Sequence, residues 1–165
     1  MVDERSVLEA TVRKDSKEFK MYAFNDMVFT RPSISNMIHL ETSVDGRPFN
    51  TYYGEVVIVS TPTGSTAYNL SCGGPVLYPL TQVFVVTTIS PHSLTQRPVV
   101  LPGQYEIEVK TPEKRAIVEV NGQDIDELKV EDIIKNRLAK GAARLVHRNE
   151  FKYFDGLKGK RSWGE

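Results

Sequence analysis

Val56-Val57-Ile58-Val59-Ser60-Thr61-Pro62-Thr63-Gly64-Ser65-Thr66-Ala67-Tyr68-Asn69-Leu70-Ser71-Cys72-Gly73-Gly74-Pro75 carries the most information in this chain. Its first four residues are the apolar, β-branched type that fills a buried strand. Five hydroxyl side chains, those of Ser60, Thr61, Thr63, Ser65 and Thr66, then crowd around Gly64. A short helix is expected over Thr66 to Cys72, with Ser65 or Thr66 as its N-cap. Gly73-Gly74-Pro75 should end it. The first N–H groups of such a helix lack internal partners and favour oxygen acceptors. Gly64 would let the backbone approach a ligand closely. Thr63, Ser65 and Thr66 can donate and accept hydrogen bonds, and Tyr68 offers an aromatic face.

Outward from this loop the chain reads in twos. Ile38, Leu40, Thr42 and Val44 alternate with His39, Glu41 and Ser43, and Asp45-Gly46 follows as a hairpin turn. Tyr105, Ile107 and Val109 alternate with Glu106, Glu108 and Lys110. Ala116, Val118 and Val120 make the next inward set before a second turn, Asn121-Gly122. Further strands are expected at Val7 to Lys14, Lys20 to Thr30, Val83 to Thr88, Asp132 to Arg137 and Ala142 to His147. With one short helix, the pattern predicts a mainly β fold: a two-layer antiparallel β-sandwich. Residues 1–165 should form a single all-β domain, with 150–165 as a C-terminal arm.

Composition excludes several classes. Hydrophobic residues at 40% and charged residues at 25% suit a soluble globular chain, and a formal net charge of zero gives no general pull toward nucleic acid or membrane. Basic residues do gather from Lys135 onward, but without aromatic interleaving they read as a solvated face rather than an RNA surface. Cys72 is the only cysteine, so no intrachain disulfide can form, and a reducing, cytoplasmic compartment is the simplest setting. No apolar run is long enough to span a bilayer. No histidine or cysteine spacing suggests a protein-borne metal site, and no Gly-x-Ser-x-Gly elbow suggests a serine hydrolase. His92 reads either as a pocket contact or as a loop histidine bonded to backbone.

The long loop closely resembles the Thr-Pro-Thr-Gly-Ser-Thr-Ala-Tyr signature of the NAD kinases. Three further stretches resemble the same family in the same order. They are Ala23-Phe24-Asn25-Asp26-Met27-Val28, Ser90-Pro91-His92-Ser93-Leu94-Thr95-Gln96-Arg97-Pro98-Val99-Val100-Leu101, and Leu157 to Trp163. The resemblance implies the all-β, C-terminal, NAD-binding domain of such an enzyme. By it, Asn25 and Asp26 would contact the adenosine of NAD, and Thr63, Thr66, Ala67, Tyr68 and Ser71 would line the dinucleotide. Glu55, which with Val56 stands where the family carries Asp-Gly, would hold the nicotinamide carboxamide. Family Asp-Gly-Gln reads Asn121-Gly122-Gln123 here.

The implied activity is phosphoryl transfer from ATP or polyphosphate, with Mg2+, to the 2′-hydroxyl of the adenosine ribose, giving NADP. The family's Gly-Gly-Asp-Gly motif, which belongs to an N-terminal α/β domain, does not occur in this sequence. No catalytic residue is therefore assigned, and the chain alone is expected to be incomplete for catalysis. The alternative is a non-catalytic NAD(P)-binding or oligomerisation module of the same origin. Expected partners are NAD(H) or NADP(H), and either further copies in a dimer or tetramer or a missing N-terminal half.

Overall fold

A computed structural model describes residues 2–90, 96–146, 153, 154, 156 and 157. Twelve strands carry most of these residues. In chain order they are β1 (Val2–Lys14), β2 (Lys17–Ala23), β3 (Asp26–Thr30), β4 (Ile38–Val44), β5 (Arg47–Gly54), β6 (Val56–Ser60), β7 (Val83–Ile89), β8 (Val99–Pro102), β9 (Ile107–Lys110), β10 (Ala116–Val120), β11 (Gln123–Leu128) and β12 (Ile133–Val146). They form two six-stranded sheets, β2-β1-β12-β9-β4-β5 and β11-β10-β3-β6-β7-β8. All the pairings are antiparallel. The two-layer β-sandwich expected from the period-two pattern is the observed fold.

The alternation decides which face of each sheet is apolar. Leu8, Ala10, Val12, Leu40, Ile107 and Val109 point inward from the first sheet, and Met27, Phe29, Val57, Val59, Phe84, Val86 and Val118 from the second. Their burial against one another supplies the main driving force for stacking the layers. Both expected turns are present, with positive φ at each central residue: Asp45 (49°) with Gly46 (80°), and Asn121 (50°) with Gly122 (83°). These left-handed pairs match the right-handed twist of the strands they join.

Two local expectations change. Lys20 to Thr30 is not one strand, because the chain leaves the first sheet after Ala23 and enters the second at Asp26. Phe24 and Asn25 make this crossing at one end of the sandwich. Conversely, the segments expected at Asp132 to Arg137 and Ala142 to His147 are, over their described residues, one long strand, β12, and His147 lies outside the described residues. Within it Gly141 takes a positive φ (64°), where the register with β1 shifts. As its apolar run leads one to expect, every residue of β6 is buried. One face of β6 meets the core, and Val56 and Ile58 on the other join Val28 under the partly buried Cys72 and Ile89.

The helix is shorter than expected. Thr63–Thr66 form a 3-10 turn and α1 is only Tyr68–Ser71. Ala67, between them, occupies the N-cap, and no side chain caps α1. The expected hydroxyl cap fails because Ser65 is fully buried and its hydroxyl is committed elsewhere. It donates to the Pro62 carbonyl at 2.8 Å and accepts from the Leu77 N–H at 2.9 Å. Among the described residues, no helix is long and apolar enough to cross a membrane.

Candidate functional site

The site begins where β3 and β6 lie side by side, Asp26 opposite Ser60. Just beyond that pair, Thr61 joins the two segments. Its N–H donates to the Asn25 carbonyl at 3.0 Å. Its hydroxyl lies 2.8 Å from the Phe24 carbonyl and 3.1 Å from that of Asn25. The same hydroxyl accepts from the Gly64 N–H at 2.9 Å. Thr61 has no exposed surface, so these bonds are shielded from water and strengthened by the low local dielectric. On the other side of Asn25, its N–H donates to the Asn121 side-chain oxygen at 2.9 Å. The Asn121 N–H donates to the Asp26 carbonyl at 3.2 Å.

Gly64 is therefore required for a reason other than the one expected. A Cβ placed there would lie 2.6 Å from the Asn25 Cα, with the Asn25 carbonyl closer still. The close approach is between two protein backbones, not between protein and ligand.

Beyond the 3-10 turn, Asn69 fixes α1 to the outer face of the second sheet. It is fully buried, and its amide nitrogen donates to the carbonyls of Ser65 and Pro75, both at 3.0 Å. Its side-chain oxygen accepts from the Thr87 hydroxyl at 2.6 Å. Asn69 carries no local signal of this role, since a polar residue within a helix reads as solvated until its partner on a distant strand, Thr87, is known.

Two adjoining cavities result. One, of about 370 Å³, is lined by Asn25, Asp26, Val28, Ala67, Tyr68, Glu119, Asn121 and Gly122. The other, of about 360 Å³, is lined by Arg5, Asn25, Pro62, Thr63, Thr66, Ala67, Pro79, Tyr153, Gly156 and Leu157. Asn25 and Ala67 belong to both walls. Six of the eight residues singled out in the sequence, Asn25, Asp26, Thr63, Thr66, Ala67 and Tyr68, thus converge on one region. Ser71 is exposed and lines neither cavity. Glu55 also lines neither, and its carboxylate is 3.5 Å from the Arg31 guanidinium. His92 lies outside the described residues, as do Pro91 to Thr95 and most of the C-terminal arm.

The first cavity is acidic. Burial raises Asp26 above the usual carboxylate range. Glu119 is raised as well, first by burial, then by its hydrogen bond with Asp124 and the charges of Asp124 and Asp26. Burial chiefly, with the nearby Cys72, Glu119, Glu55 and Asp26, also raises the Tyr68 hydroxyl. Such a wall presents acceptors to a ligand rich in donors, such as sugar hydroxyls or an exocyclic amine. Among the described residues no group of three or more histidine, cysteine or carboxylate side chains is disposed to hold a metal ion.

Arg5, Tyr153, Glu119 and Asn121 are wall residues that did not figure among the expected site residues. For Glu119, strand phase alone was a usable signal, because it stands opposite to the inward Val118 and Val120. For Arg5 no local signal existed, because the cavity it lines is closed by residues far along the chain, Thr63 and Tyr153 among them.

Fold and site together define a β-sandwich domain whose polar cleft sits between a strand crossover and the loop after β6. Residues 24–148 match the family described as the ATP-NAD kinase C-terminal domain. The chain belongs to that family. It is 61% identical over 164 residues to an NAD kinase of Sulfurimonas denitrificans, covering 99% of this chain and 58% of that protein. It is 44% identical over 165 residues to an NAD kinase of Wolinella succinogenes, covering 99% and 57%. The chain thus spans a little over half the length of the curated relatives it matches. A yeast NADH kinase crystallised with NADH superposes with a TM-score of 0.91 at 28% identity, over 99% of this chain and 49% of that one. An Archaeoglobus fulgidus NAD kinase in complex with ATP gives 0.75 at 26% identity, over 96% and 59%.

Proposed function

We propose that this chain binds NAD(H) in the two joined cavities, as the dinucleotide-holding part of an enzyme that phosphorylates the 2′-hydroxyl of the adenosine ribose to give NADP. The observation that carries the proposal is the convergence of Asn25 and Ala67, from segments about forty residues apart in the sequence, onto both cavities. The adenosine lies against Asn25 and Asp26: the Asn25 amide pairs with a base edge, and the Asp26 carboxylate accepts from ribose hydroxyls. Thr63, Thr66, Ala67 and Tyr68 line the remainder. Ser71 and Glu55 lie outside the two cavities.

The sequence holds no Gly-Gly-Asp-Gly motif. The phosphoryl donor, ATP or polyphosphate with Mg2+, is therefore held by groups outside this chain, which acts in the cytoplasm, either with further copies of itself or with an N-terminal α/β half. The test is reconstitution. The chain alone should form no NADP from NAD and ATP, and adding an α/β half that carries the motif should restore product. No product in the mixture, with both halves folded, would contradict the proposal.

A further inference from the structure

Arg5 is 8% exposed, yet its charge is poorly matched. One terminal nitrogen donates to the Thr63 hydroxyl at 3.3 Å, and the other lies 3.4 Å from the Asp3 carboxylate. Both are long for hydrogen bonds to a guanidinium. The buried Nε has no partner. A second buried group in the same cavity, the Tyr153 hydroxyl, also has none. A buried charge and a buried hydroxyl left this way are costly unless something supplies acceptors.

The placement of Arg5 is itself unusual. Leu8, Ala10 and Val12 of β1 face the core, and strict alternation would send Arg5 to the outer face. The β1–β12 register shifts between Arg5 and Val7: Val7 pairs with Ala139, but Arg5 pairs with Ala143. Lys140, Gly141 and Ala142 therefore stand opposite Ser6 alone, with Gly141 at φ 64°. Such bulges bend the strand that carries them and recur beside functional sites.

The two cavities are also divided by charge. Asp26 and Glu119 line one. Arg5 is the only cationic residue among the described residues lining either. We infer that Arg5, with the Tyr153 hydroxyl, forms a phosphoryl-oxygen subsite, so that the acidic cavity takes the nucleoside and the Arg5 cavity takes the phosphate joined to it. The inference rests on the dinucleotide reading and gives it a direction. An anionic group in the acidic cavity would meet like charge, whereas beside Arg5 it completes a cation that the fold has already desolvated. Arg5 and Tyr153 are positioning residues: they orient the ligand by its phosphate and leave the ribose against Asp26.

The test is a calorimetric titration of wild type, Arg5→Met and Tyr153→Phe with three probes: adenosine, NAD and inorganic pyrophosphate. Wild type should bind NAD more tightly than adenosine, by a margin that shrinks with added salt. Arg5→Met should weaken NAD roughly 10- to 100-fold and abolish pyrophosphate binding, leaving adenosine unchanged. Tyr153→Phe, a change with little risk to folding, should weaken NAD about 3- to 10-fold and spare adenosine. Equal losses for NAD and adenosine in both variants, or no loss in either, would overturn the subsite. If wild type binds pyrophosphate through Arg5 but neither adenosine nor NAD, the subsite stands and the dinucleotide reading fails. If wild type binds no pyrophosphate, and NAD no better than adenosine, the subsite fails whatever becomes of the dinucleotide.

Discussion

Gly64 and Asn25 are in backbone contact so close that no side chain fits between them: a Cβ on Gly64 would lie 2.6 Å from the Asn25 Cα. This contact makes one site from two segments. It fixes the loop after β6 against the crossover between the sheets, and both cavities are built around the join. Gly64→Ala should therefore cost at least about 3 kcal/mol, the upper end of ordinary over-packing, because backbone rather than a flexible side chain must move. Urea unfolding should show the loss, and nucleotide binding should fall with it.

Asn69 should be as sensitive to the chemistry of its amide as to its size. Asn69→Asp keeps the shape but turns a donor toward the Ser65 and Pro75 carbonyls into an acceptor. It should destabilise by roughly 3 kcal/mol or more, as expected for a buried charge facing oxygen. Thr87→Val, which loses only the 2.6 Å bond to the Asn69 oxygen, should cost about 1–2 kcal/mol. Chemical denaturation of the two variants should rank them in that order.

The strands were legible because their signals are local. Period-two alternation marks Ile38–Val44 and Ala116–Val120, and the Asp45-Gly46 and Asn121-Gly122 turns need nothing beyond their own two residues to be read. Signals set by distant chain were not legible. The break at Phe24 and Asn25 lies inside a strand-like run, and only the existence of two sheets explains it. Arg5 is buried at a cavity whose other walls, Thr63 and Tyr153 among them, come from far along the chain. The hydroxyl groups of the long loop were visible as chemistry, but their division of labour was not. Thr61 and Ser65 are spent on the protein's own backbone, leaving Thr63 and Thr66 to face the cavity.

Stability should respond to acid through Asp26 and Glu119. Burial leads the upward shift of both, above 3.8 for Asp26 and 4.5 for Glu119, so the folded chain holds these protons to higher pH than the unfolded one. The resulting penalty is absent below the ordinary carboxylate values and grows as pH rises through the raised ones. Asp26→Asn removes the Asp26 share. It should raise the melting temperature near pH 7, with the gain shrinking toward pH 4, as a thermal melt series in both buffers would show.

Asn136 on β12 is fully buried, and neither its amide nitrogen nor its oxygen has a partner. It projects from the same side of its strand as the core residue Ile134. Asn136→Leu, close in size and wholly apolar, should stabilise the fold by about 1–3 kcal/mol. A midpoint shift to higher denaturant with an unchanged slope would record it.

The central claim is that one dinucleotide occupies both cavities across the wall shared by Asn25 and Ala67. Calorimetric titration of NAD into wild type and Ala67→Trp tests it most directly, since an indole at Ala67 fills the junction without touching the core. The account predicts saturable binding of one NAD per chain in wild type, weakened at least about 10-fold in Ala67→Trp at an unchanged melting temperature. Equal affinity in the two proteins, or no binding by wild type at millimolar NAD, would contradict it.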